Sequence, residues 1–263
     1  MAEDFTGKAG IVTGGGSGIG RAAAIRFAEA GAKVVIVDVD EDGSNATKAM
    51  IDQLGGEATC VLADVSQEAA VENMVAQTIA TYGKLDFAFN NAGIAGDIVP
   101  LIDYTEDLWD RVIGINLKGV WLCMKHQIRQ MLDQGENGAK DGNGGGAIVN
   151  TASIMGLVSS ATNPVAYTAA KHGVVGITKS AALGYAEAGI RVNAVCPGYI
   201  MTPLVADIFE RHPERKAAIV ADHPIGRLGT PEEIAAAAVW LCSDAASFVN
   251  GTAMTVDGGY VAH

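Results

Sequence analysis

The sequence predicts an α/β fold in which a mainly parallel sheet of seven strands has helices on both faces. Strand-like apolar runs alternate with helical segments along nearly the whole 263-residue chain. The runs are continuously apolar instead of alternating with polar residues, which is typical of parallel strands that are covered on both faces. We see no internal repeat and no linker, and therefore expect one doubly wound domain that spans residues 1–263.

The predicted strands follow one another as short apolar runs. In chain order they are AGIVTG (9–14), KVVIVD (33–38), ATCVLAD (58–64), LDFAFNNAG (85–93), GAIVNTAS (146–153), IRVNAVCPG (190–198) and AMTVDGG (253–259). The segments between them are mostly long enough for the crossover helices that parallel strands require. The clearest helical segments are 21–30, 67–82, 107–132, 166–188 and 231–243.

Two further segments stand out from this alternation. Residues 133–146 are rich in Gly, Asn and charge, so we expect an exposed loop before the fifth strand. Residues 199–228 form a long connection of mixed helical character. Connections of that length commonly serve as lids or binding loops, which makes this segment a candidate wall of a ligand site.

Charge and composition exclude several classes of function. The chain carries 18 basic and 30 acidic residues, a formal net charge of −12, which disfavours nucleic acid and anionic membranes as partners. The sequence has no signal core, no Arg-rich transit pattern and no apolar run of about 18 residues, so we expect a cytoplasmic protein. The four cysteines are scattered without a CxxC pair, and we expect neither a metal site nor a disulfide framework.

The segment VTGGGSGIGR, between the first two predicted strands, predicts a phosphate-binding loop. Gly14, Gly18 and Gly20 would let the chain turn tightly and approach a pyrophosphate closely. The helix that begins near Gly18 would offer free N–H groups and the positive end of its dipole. Arg21 stands where the third glycine of a G-x-G-x-x-G fingerprint would fall, so the prediction depends on the strand–loop–helix context.

Asp38, at the end of the second predicted strand, indicates which dinucleotide binds. A carboxylate there can accept hydrogen bonds from the adenosine ribose hydroxyls of NAD, and it would repel the 2′-phosphate of NADP. Neither Ser17 nor Val39 supplies a basic side chain for that phosphate. We therefore predict NAD as the cofactor, the alternative being a solvated Asp that caps a turn.

Tyr167 and Lys171 lie four residues apart on a predicted helix and therefore share a face. A free phenol has a pKa near 10, and an adjacent ammonium would lower it toward a value useful for acid–base chemistry. Ser153 follows the fifth predicted strand, at the edge where open α/β sheets bind ligands. Taken singly, Ser153 could be a turn residue and Asn116 a helix-surface or buried polar residue.

In combination these segments resemble the short-chain dehydrogenase/reductase family along essentially the whole chain. The matching segments, in family order, are TGGGSGIG, NNAG (90–93), IN (115–116), Ser153, YTAAK (167–171), RVNAVCPG (191–198) and VDGG (256–259). The resemblance implies a single-domain, doubly wound Rossmann fold that binds a nicotinamide dinucleotide. The loop at 133–146 is longer than the family's usual connection, and it lies away from the motifs.

The resemblance also implies a role for each matched residue. Tyr167 looks like the general acid/base, Lys171 like the residue that lowers its pKa and binds the nicotinamide ribose, and Ser153 like the donor that polarises the substrate oxygen. Asn116 looks like the residue that orders a water leading to Lys171. The remaining implied cofactor contacts are Gly14, Ser17, Gly18, Ile19, Gly20, Asp38, Asp64, Val65, Asn90, Ala92, Gly93, Pro197, Gly198, Ile200 and Thr202.

We accordingly expect an oxidoreductase that interconverts a secondary alcohol and a ketone, with a small neutral alcohol, cyclic diol or sugar as substrate. The candidate pocket segments 94–104, 154–164 and 199–228 are mostly apolar or neutral around Ser153. Two alternatives stay open, a 3-oxoacyl-carrier-protein reductase and a nucleotide-binding regulatory protein without turnover. The family's usual assembly, together with the apolar segment 232–256, predicts a homotetramer.

Overall fold

The computed structural model describes residues 3–135, 145–160, 163–202, 205–206, 210 and 213–262. The described residues form one seven-stranded sheet with the order β3-β2-β1-β4-β5-β6-β7, in which every neighbouring pair is parallel. The strands are β1 (Ala9–Thr13), β2 (Lys33–Asp38), β3 (Glu57–Leu62), β4 (Phe87–Asn90), β5 (Ala147–Thr151), β6 (Arg191–Pro197) and β7 (Ala253–Val256).

Helices cover both faces of this sheet. They are α1 (Gly18–Glu29), α2 (Glu41–Gln53), α3 (Glu68–Tyr82), α4 (Glu106–Ile113), α5 (Val120–Gly135), α6 (Val165–Tyr185), α7 (Pro213–Ala221) and α8 (Pro231–Cys242). One apolar core joins the sheet to α3, α5 and α6, and a second joins the opposite face to α1 and α8. Burial on both faces explains why the strands are continuously apolar in sequence.

The strand order reverses between β1 and β4, and this reversal marks the edge of the sheet where a ligand is expected. β2 lies on one side of β1 and β4 on the other, so the connections that leave β1 and β4 diverge. Open α/β sheets bind ligands in the crevice that such a divergence opens at the carboxyl ends of the strands. The Gly-rich loop and the segments after β4, β5 and β6 all begin at that edge.

The sequence prediction of the fold class is confirmed, with differences in detail. The predicted helix 107–132 is interrupted by a π-helical turn at Gly114–Gly119, which separates α4 from α5. The first part of the predicted loop 133–146 continues α5 as far as Gly135, and residues 136–144 lie outside the described residues. Within the described residues, no helix has the length and apolar character needed to cross a membrane.

Candidate active site

The Gly-rich loop packs against the segment that follows β4. Gly14 has φ +66°, a conformation that residues with a side chain rarely adopt, and a Cβ there would lie 2.9 Å from the Cα of Ala92. A Cβ at Gly20 would collide with the carbonyl of Gly14. These glycines therefore let the loop, the start of α1 and the β4 segment come together at the sheet edge.

The N-terminus of α1 has the properties of an anion site. Ser17 is the N-cap residue, yet its side chain makes no capping hydrogen bond, and the first turn of α1 contains no acidic residue. Gly18 begins the helix, and the side chain of Ile19 packs against the core. The first N–H groups of α1 and its dipole thus fit a phosphate of a dinucleotide.

Asp38 lies beside this loop and is held in a fixed orientation. Its Oδ2 accepts a hydrogen bond of 2.9 Å from the N–H of Gly16, and its Oδ1 accepts bonds from the N–H groups of Val39 and Asp40. The carboxylate therefore lies at the end of β2, next to the turn where an adenosine ribose would lie. This arrangement fits the acceptor role that the sequence predicts for Asp38.

Arg21 is a residue of this site to which the sequence analysis gave no role. Its guanidinium donates to the carbonyl of Gly16 and, at 3.0 Å, to Thr47 Oγ1. The Thr47 hydroxyl in turn donates to the carbonyl of Gly15 at 2.9 Å. Arg21 and Thr47 thereby fix the Gly-rich loop on the side of α2. Their contact joins residues that are distant in sequence, so no local motif reveals it.

The two adjacent asparagines after β4 point in different directions. Asn90, predicted to line the cofactor cleft, has its side chain buried in an amide network with Gln127 and Asn150. The side chain of Asn91 instead contacts the backbone of the Gly-rich loop and the hydroxyl of Thr151. Of the two side chains, Asn91 is therefore the one directed toward the loop.

The other predicted cleft residues lie along the same edge. The N–H of Ala92 donates to Thr13 Oγ1 at 3.1 Å, and a Cβ at Gly93 would lie 3.0 Å from Asn116 Oδ1. Asp64 follows β3 and accepts a hydrogen bond from the N–H of Ser66, and Val65 is buried against the π turn.

Ser153 and Lys171 converge on the carboxyl end of β5. Ser153 caps a short 3₁₀ turn, and its Oγ accepts a 3.1 Å hydrogen bond from the N–H of Met155, which leaves the hydroxyl proton available for donation. Lys171 is 3% exposed, and its Nζ donates to the carbonyl of Thr151 at 2.7 Å. The same Nζ lies 5.5 Å from the centre of the Tyr167 ring.

Burial determines the pKa values in this cluster. Burial raises the pKa of Tyr167, while a side-chain hydrogen bond with Ser153 acts in the lowering direction. Burial lowers the pKa of Lys171 to about 8. Burial is therefore the dominant effect on the pKa of Tyr167 in this structure, and the lowering of that pKa by Lys171 stays a prediction.

Asn116 lies inside the π-helical turn and is fully buried. Its Oδ1 accepts from the N–H of Ile94 and its Nδ2 donates to the carbonyl of Ile94, both at 2.8 Å. Asn116 thus fixes the segment after β4, and its role in a water relay to Lys171 stays a prediction. A π turn at this position is consistent with a functional site, where such insertions often occur.

The loop after β6 closes the site on the side of Ser153. Pro197 ends β6, and Ile200 forms an isolated parallel bridge with Gly229. The Oγ1 atom of Thr202 accepts a hydrogen bond from the N–H of Val205. Sequence reasoning missed Tyr199 and His223 in this region, because their contacts join segments that are far apart in the chain.

Comparisons with known proteins place this geometry in a family. Residues 14–261 match a family model described as enoyl-(acyl carrier protein) reductase. The cis-4-hydroxycyclohexanecarboxylate dehydrogenase of Sinomonas cyclohexanicum is 47% identical over 262 residues, which is 100% of both chains. The cyclohexanol dehydrogenase of Acinetobacter sp. strain SE19 is 43% identical over 260 residues, which cover 99% of this chain and 97% of the relative.

Solved structures agree with these relatives. The crystal structure of levodione reductase superposes with a TM-score of 0.90 at 43% identity and covers 98% of this chain and 99% of its own. A dehydrogenase structure from Agrobacterium tumefaciens that has NADP bound superposes with a TM-score of 0.87 at 34% identity and covers 99% of this chain and 98% of its own.

Proposed function

The chain belongs to the short-chain dehydrogenase/reductase family, and from this premise we propose that it is an NAD-dependent enzyme that interconverts a secondary alcohol and a ketone with Tyr167 as its general acid/base. The observation that carries the proposal is the meeting of Ser153, Tyr167 and Lys171 at the carboxyl end of β5. This cluster lies at the same sheet edge as the Gly-rich loop, so a substrate and a dinucleotide could meet there.

The chemistry follows from the atoms of these side chains. In alcohol oxidation, the Tyr167 phenolate takes the hydroxyl proton, and in ketone reduction its phenol returns a proton to the developing alkoxide. The Ser153 hydroxyl donates a hydrogen bond to the same oxygen and stabilises the charge that forms on it. A nicotinamide dinucleotide bound across the sheet edge would supply or accept the hydride.

Lys171 would hold the nicotinamide ribose, because its ammonium is fixed by the Thr151 carbonyl and has further donors to offer. The Gly-rich loop with the α1 N-terminus would hold the pyrophosphate, and Asp38 the adenosine ribose. The carboxylate of Asp38 is the reason for proposing NAD rather than NADP. The residue at 39 is Val and supplies no charge for a 2′-phosphate.

The proposed substrate is a neutral secondary alcohol on a six-membered ring, or the corresponding ketone. One relative at 43% identity is named for cyclohexanol, and one at 47% identity is named for a hydroxycyclohexane ring that also carries a carboxylate, so the relatives support the ring and the pocket walls support its neutrality. The candidate pocket segments of this chain also present partly exposed apolar side chains, namely Ile98, Leu157, Val158 and Met201. Such walls favour an uncharged ring, since an ionised group there would lose hydration without gaining a partner.

The alternative to be tested is a 3-oxoacyl-carrier-protein reductase, and the description of the matching family model, enoyl-(acyl carrier protein) reductase, also names a carrier protein. Such enzymes mostly use NADPH and hold an acidic carrier with basic surface residues. Asp38 disfavours that cofactor, and segment 180–189 contains no Arg at the position where carrier reductases tend to have one. A chain with a net charge of −12 would also repel an acidic carrier.

NADH absorbance during turnover of a substrate panel tests the proposal. The panel contains cyclohexanol, cyclic diols and sugars with NAD, and a 3-oxoacyl thioester with NADPH. We expect the cyclic alcohols with NAD to give the highest kcat/KM. A preference for the thioester with NADPH would establish the carrier-reductase alternative. Intact NAD binding without turnover of any panel member would indicate a regulatory protein.

The proposed assembly is a homotetramer. A groove of about 650 Å³ runs between α5 and α6, and its walls include Trp121, Ile128, Ile177 and Tyr185. On the other side of the molecule, Phe248 is fully exposed after α8. The groove and the exposed Phe248 ring are two separate apolar features, and they support two different contacts between copies of the chain.

A further inference from the structure

His223 is buried beneath the loop that follows β6, although it belongs to the connection from α7 to α8. It is 3% exposed, in a segment where the following residues reach the surface. No sequence motif includes this residue. Its contacts join three segments that are distant in sequence, namely the loop after β6, the end of α7 and the turn after β7.

The hydrogen bonds of the ring define its protonation. The Nδ1 atom lies 2.7 Å from the carbonyl of Ile219, which can only accept, so Nδ1 carries the proton. The N–H of Tyr199 points to Nε2 at 3.3 Å and can only donate, so Nε2 is the acceptor. Both ring nitrogens of His223 are therefore satisfied, and the ring fixes the main chain of residue 199 to α7.

Close packing accompanies these bonds. A Cβ at Gly198 would lie 3.1 Å from His223 Nε2, so the absence of a side chain at 198 allows the ring to reach the backbone. The ring centres of Tyr199 and Tyr260 lie 5.7 and 5.2 Å from that of His223, in edge and tilted arrangements. The imidazole thus lies between the residues that flank the ends of β6 and β7.

Tyr199 extends this cluster toward the candidate catalytic residue. The ring centre of Tyr199 lies 6.3 Å from that of Tyr260, and a charge on the Tyr199 phenol would raise the pKa of Tyr167. The position of Tyr199 therefore affects the surroundings of Tyr167, where substrate and nicotinamide would meet.

Among the described residues, the loop borders open space on its far side. A cavity of about 310 Å³ adjoins it, lined in part by Ile200, Ile225 and Val256. Besides the hydrogen bond from the Tyr199 N–H to His223, two backbone contacts hold the loop. The Gly198 N–H donates to the Val256 carbonyl at 3.1 Å, and Gly229 donates to the Tyr199 carbonyl and accepts from the N–H of Met201. A loop beside open space can shift when a contact is removed, because few atoms oppose its movement.

We propose that His223 is a positioning residue, which holds the main chain of Tyr199. It thereby fixes the position of the loop Pro197–Thr202, which would face the nicotinamide, and the position of the Tyr199 side chain near Tyr167. The proposal rests on the function proposed above, because it assumes that this loop contacts the nicotinamide. It assigns His223 no contact with substrate or cofactor.

Two substitutions separate the two hydrogen bonds. In His223→Gln, the Oε1 atom can replace Nε2 as acceptor for the Tyr199 N–H. In His223→Asn, the Nδ2 atom can replace Nδ1 as donor to Ile219, but the side chain is too short to reach Tyr199. We expect Asn to raise KM for NAD about tenfold with a smaller change in kcat, and Gln to stay within about threefold of wild type, since a buried N–H without a partner is costly.

The control is His126, a buried histidine on α5 whose Nε2 lies 3.3 Å from Glu68, far from this loop. His126→Asn should leave KM for NAD unchanged. Thermal unfolding of all variants identifies loss of stability, and a purely structural role would lower Tm while leaving KM of the folded enzyme as in wild type. That result, or equal KM values for Gln and Asn, would overturn the proposal.

The same variants distinguish this inference from the proposed function. Titration of NAD against protein fluorescence gives Kd without turnover. If the wild type binds NAD but turns over no alcohol, the proposed function fails, while weaker NAD binding by the Asn variant alone would still support the positioning role. Equal Kd values for wild type, Gln and Asn would refute it, whatever the turnover.

Discussion

Burial determines the charge states of the two side chains at the centre of the candidate site. It raises the pKa of Tyr167 and lowers that of Lys171 to about 8. Both shifts favour the neutral side chain, because a charged group in a buried site loses its hydration. Without cofactor, Tyr167 is therefore a phenol ready to donate, and its ionisation for alcohol oxidation needs alkaline pH or added positive charge.

Tyr167→Phe should reduce turnover by about 10²–10⁴-fold and leave NAD binding nearly unchanged, since only the proton-transferring hydroxyl is removed. In the wild type, oxidation should accelerate as pH rises, because the phenolate is the base and the raised pKa extends the increase into the alkaline range. Steady-state rates over pH and NAD titrations measure both effects. The control Tyr82→Phe, on α3, should behave as wild type. A Tyr167→Phe variant that keeps more than about a tenth of the wild-type rate would contradict acid–base catalysis by Tyr167.

Asp38 should give at least about 100-fold preference for NAD over NADP in kcat/KM, roughly 3 kcal/mol. Charge-assisted bonds to the ribose hydroxyls are worth about 1.5–3 kcal/mol each, and repulsion of the 2′-phosphate adds to the difference. Asp38→Ser should lower the ratio of kcat/KM with NAD to kcat/KM with NADP, and adding Val39→Arg should lower that ratio further or reverse the preference. The ratio is the diagnostic quantity, because loss of the bond to Gly16 weakens binding of both cofactors. Equal efficiency with both cofactors in the wild type would exclude the NAD assignment.

Lys171 should make the stability of the cofactor-free enzyme depend on pH. Its folded pKa of about 8 lies below the ordinary 10.5, so the neutral side chain is favoured in the folded state. The stability it contributes is full above pH 10.5 and is lost as pH falls to about 8, by about 3 kcal/mol in total. Urea unfolding of wild type and Lys171→Met across this range measures the difference. A difference that stays constant with pH would show that Lys171 is not held in this environment.

At this scale the sequence predicted residue identities better than their surroundings. The motifs named Ser153, Tyr167 and Lys171, and the structure brings the three together. Sequence could not show that Asn90 faces the core while Asn91 faces the Gly-rich loop, because both follow β4 within one motif. Sequence also could not show whether the pKa of Tyr167 is raised or lowered, since the shift depends on burial by segments distant in sequence.

At the scale of elements, the strands were predictable and the helix irregularities were not. The apolar runs located all seven strands of the described sheet, although the run 85–93 yields only Phe87–Asn90, because Asn90 begins the turn at the sheet edge. Helix α2 was not among the helices named from sequence, since its buried side is formed by only Ser44, Thr47 and Ile51. The buried residues of the π turn at Gly114–Gly119 are Asn116 and Gly119, neither of which a pattern of apolar residues records.

This π turn leads to a prediction about Asn116. Asn116→Ala would leave the N–H and carbonyl of Ile94 without their partners, so the free energy of unfolding should fall by about 2–5 kcal/mol. Turnover should fall as well, because the segment after β4 would lose its position. Urea unfolding and kcat measured on the same preparations test this. A variant with wild-type stability and reduced kcat would instead support a role confined to the water relay.

At the scale of the whole molecule, the sheet brings together residues from most of the chain. The reversal of strand order between β1 and β4 puts the Gly-rich loop, Asp38 and the Ser153 cluster at one edge. The rest of the surface carries the net charge of −12 and the exposed apolar side chains. Alternation of strands and helices in the sequence suffices to predict this edge, whereas assembly depends on which apolar side chains stay exposed after folding.

The homotetramer prediction can be tested one face at a time. Leu183, on α6, is 85% exposed near the groove between α5 and α6, and Phe248 is fully exposed after α8. A carboxylate buried in an apolar contact without a partner is strongly unfavourable, so Leu183→Asp and Phe248→Asp should each give dimers and the double variant monomers. Substitution of an exposed side chain changes the stability of the folded monomer little, so a lower Tm in these variants should reflect loss of assembly. Sedimentation velocity at micromolar concentration measures the species directly. A monomeric wild type would exclude the tetramer, and a tetramer that survives both substitutions would place the contacts on other surfaces.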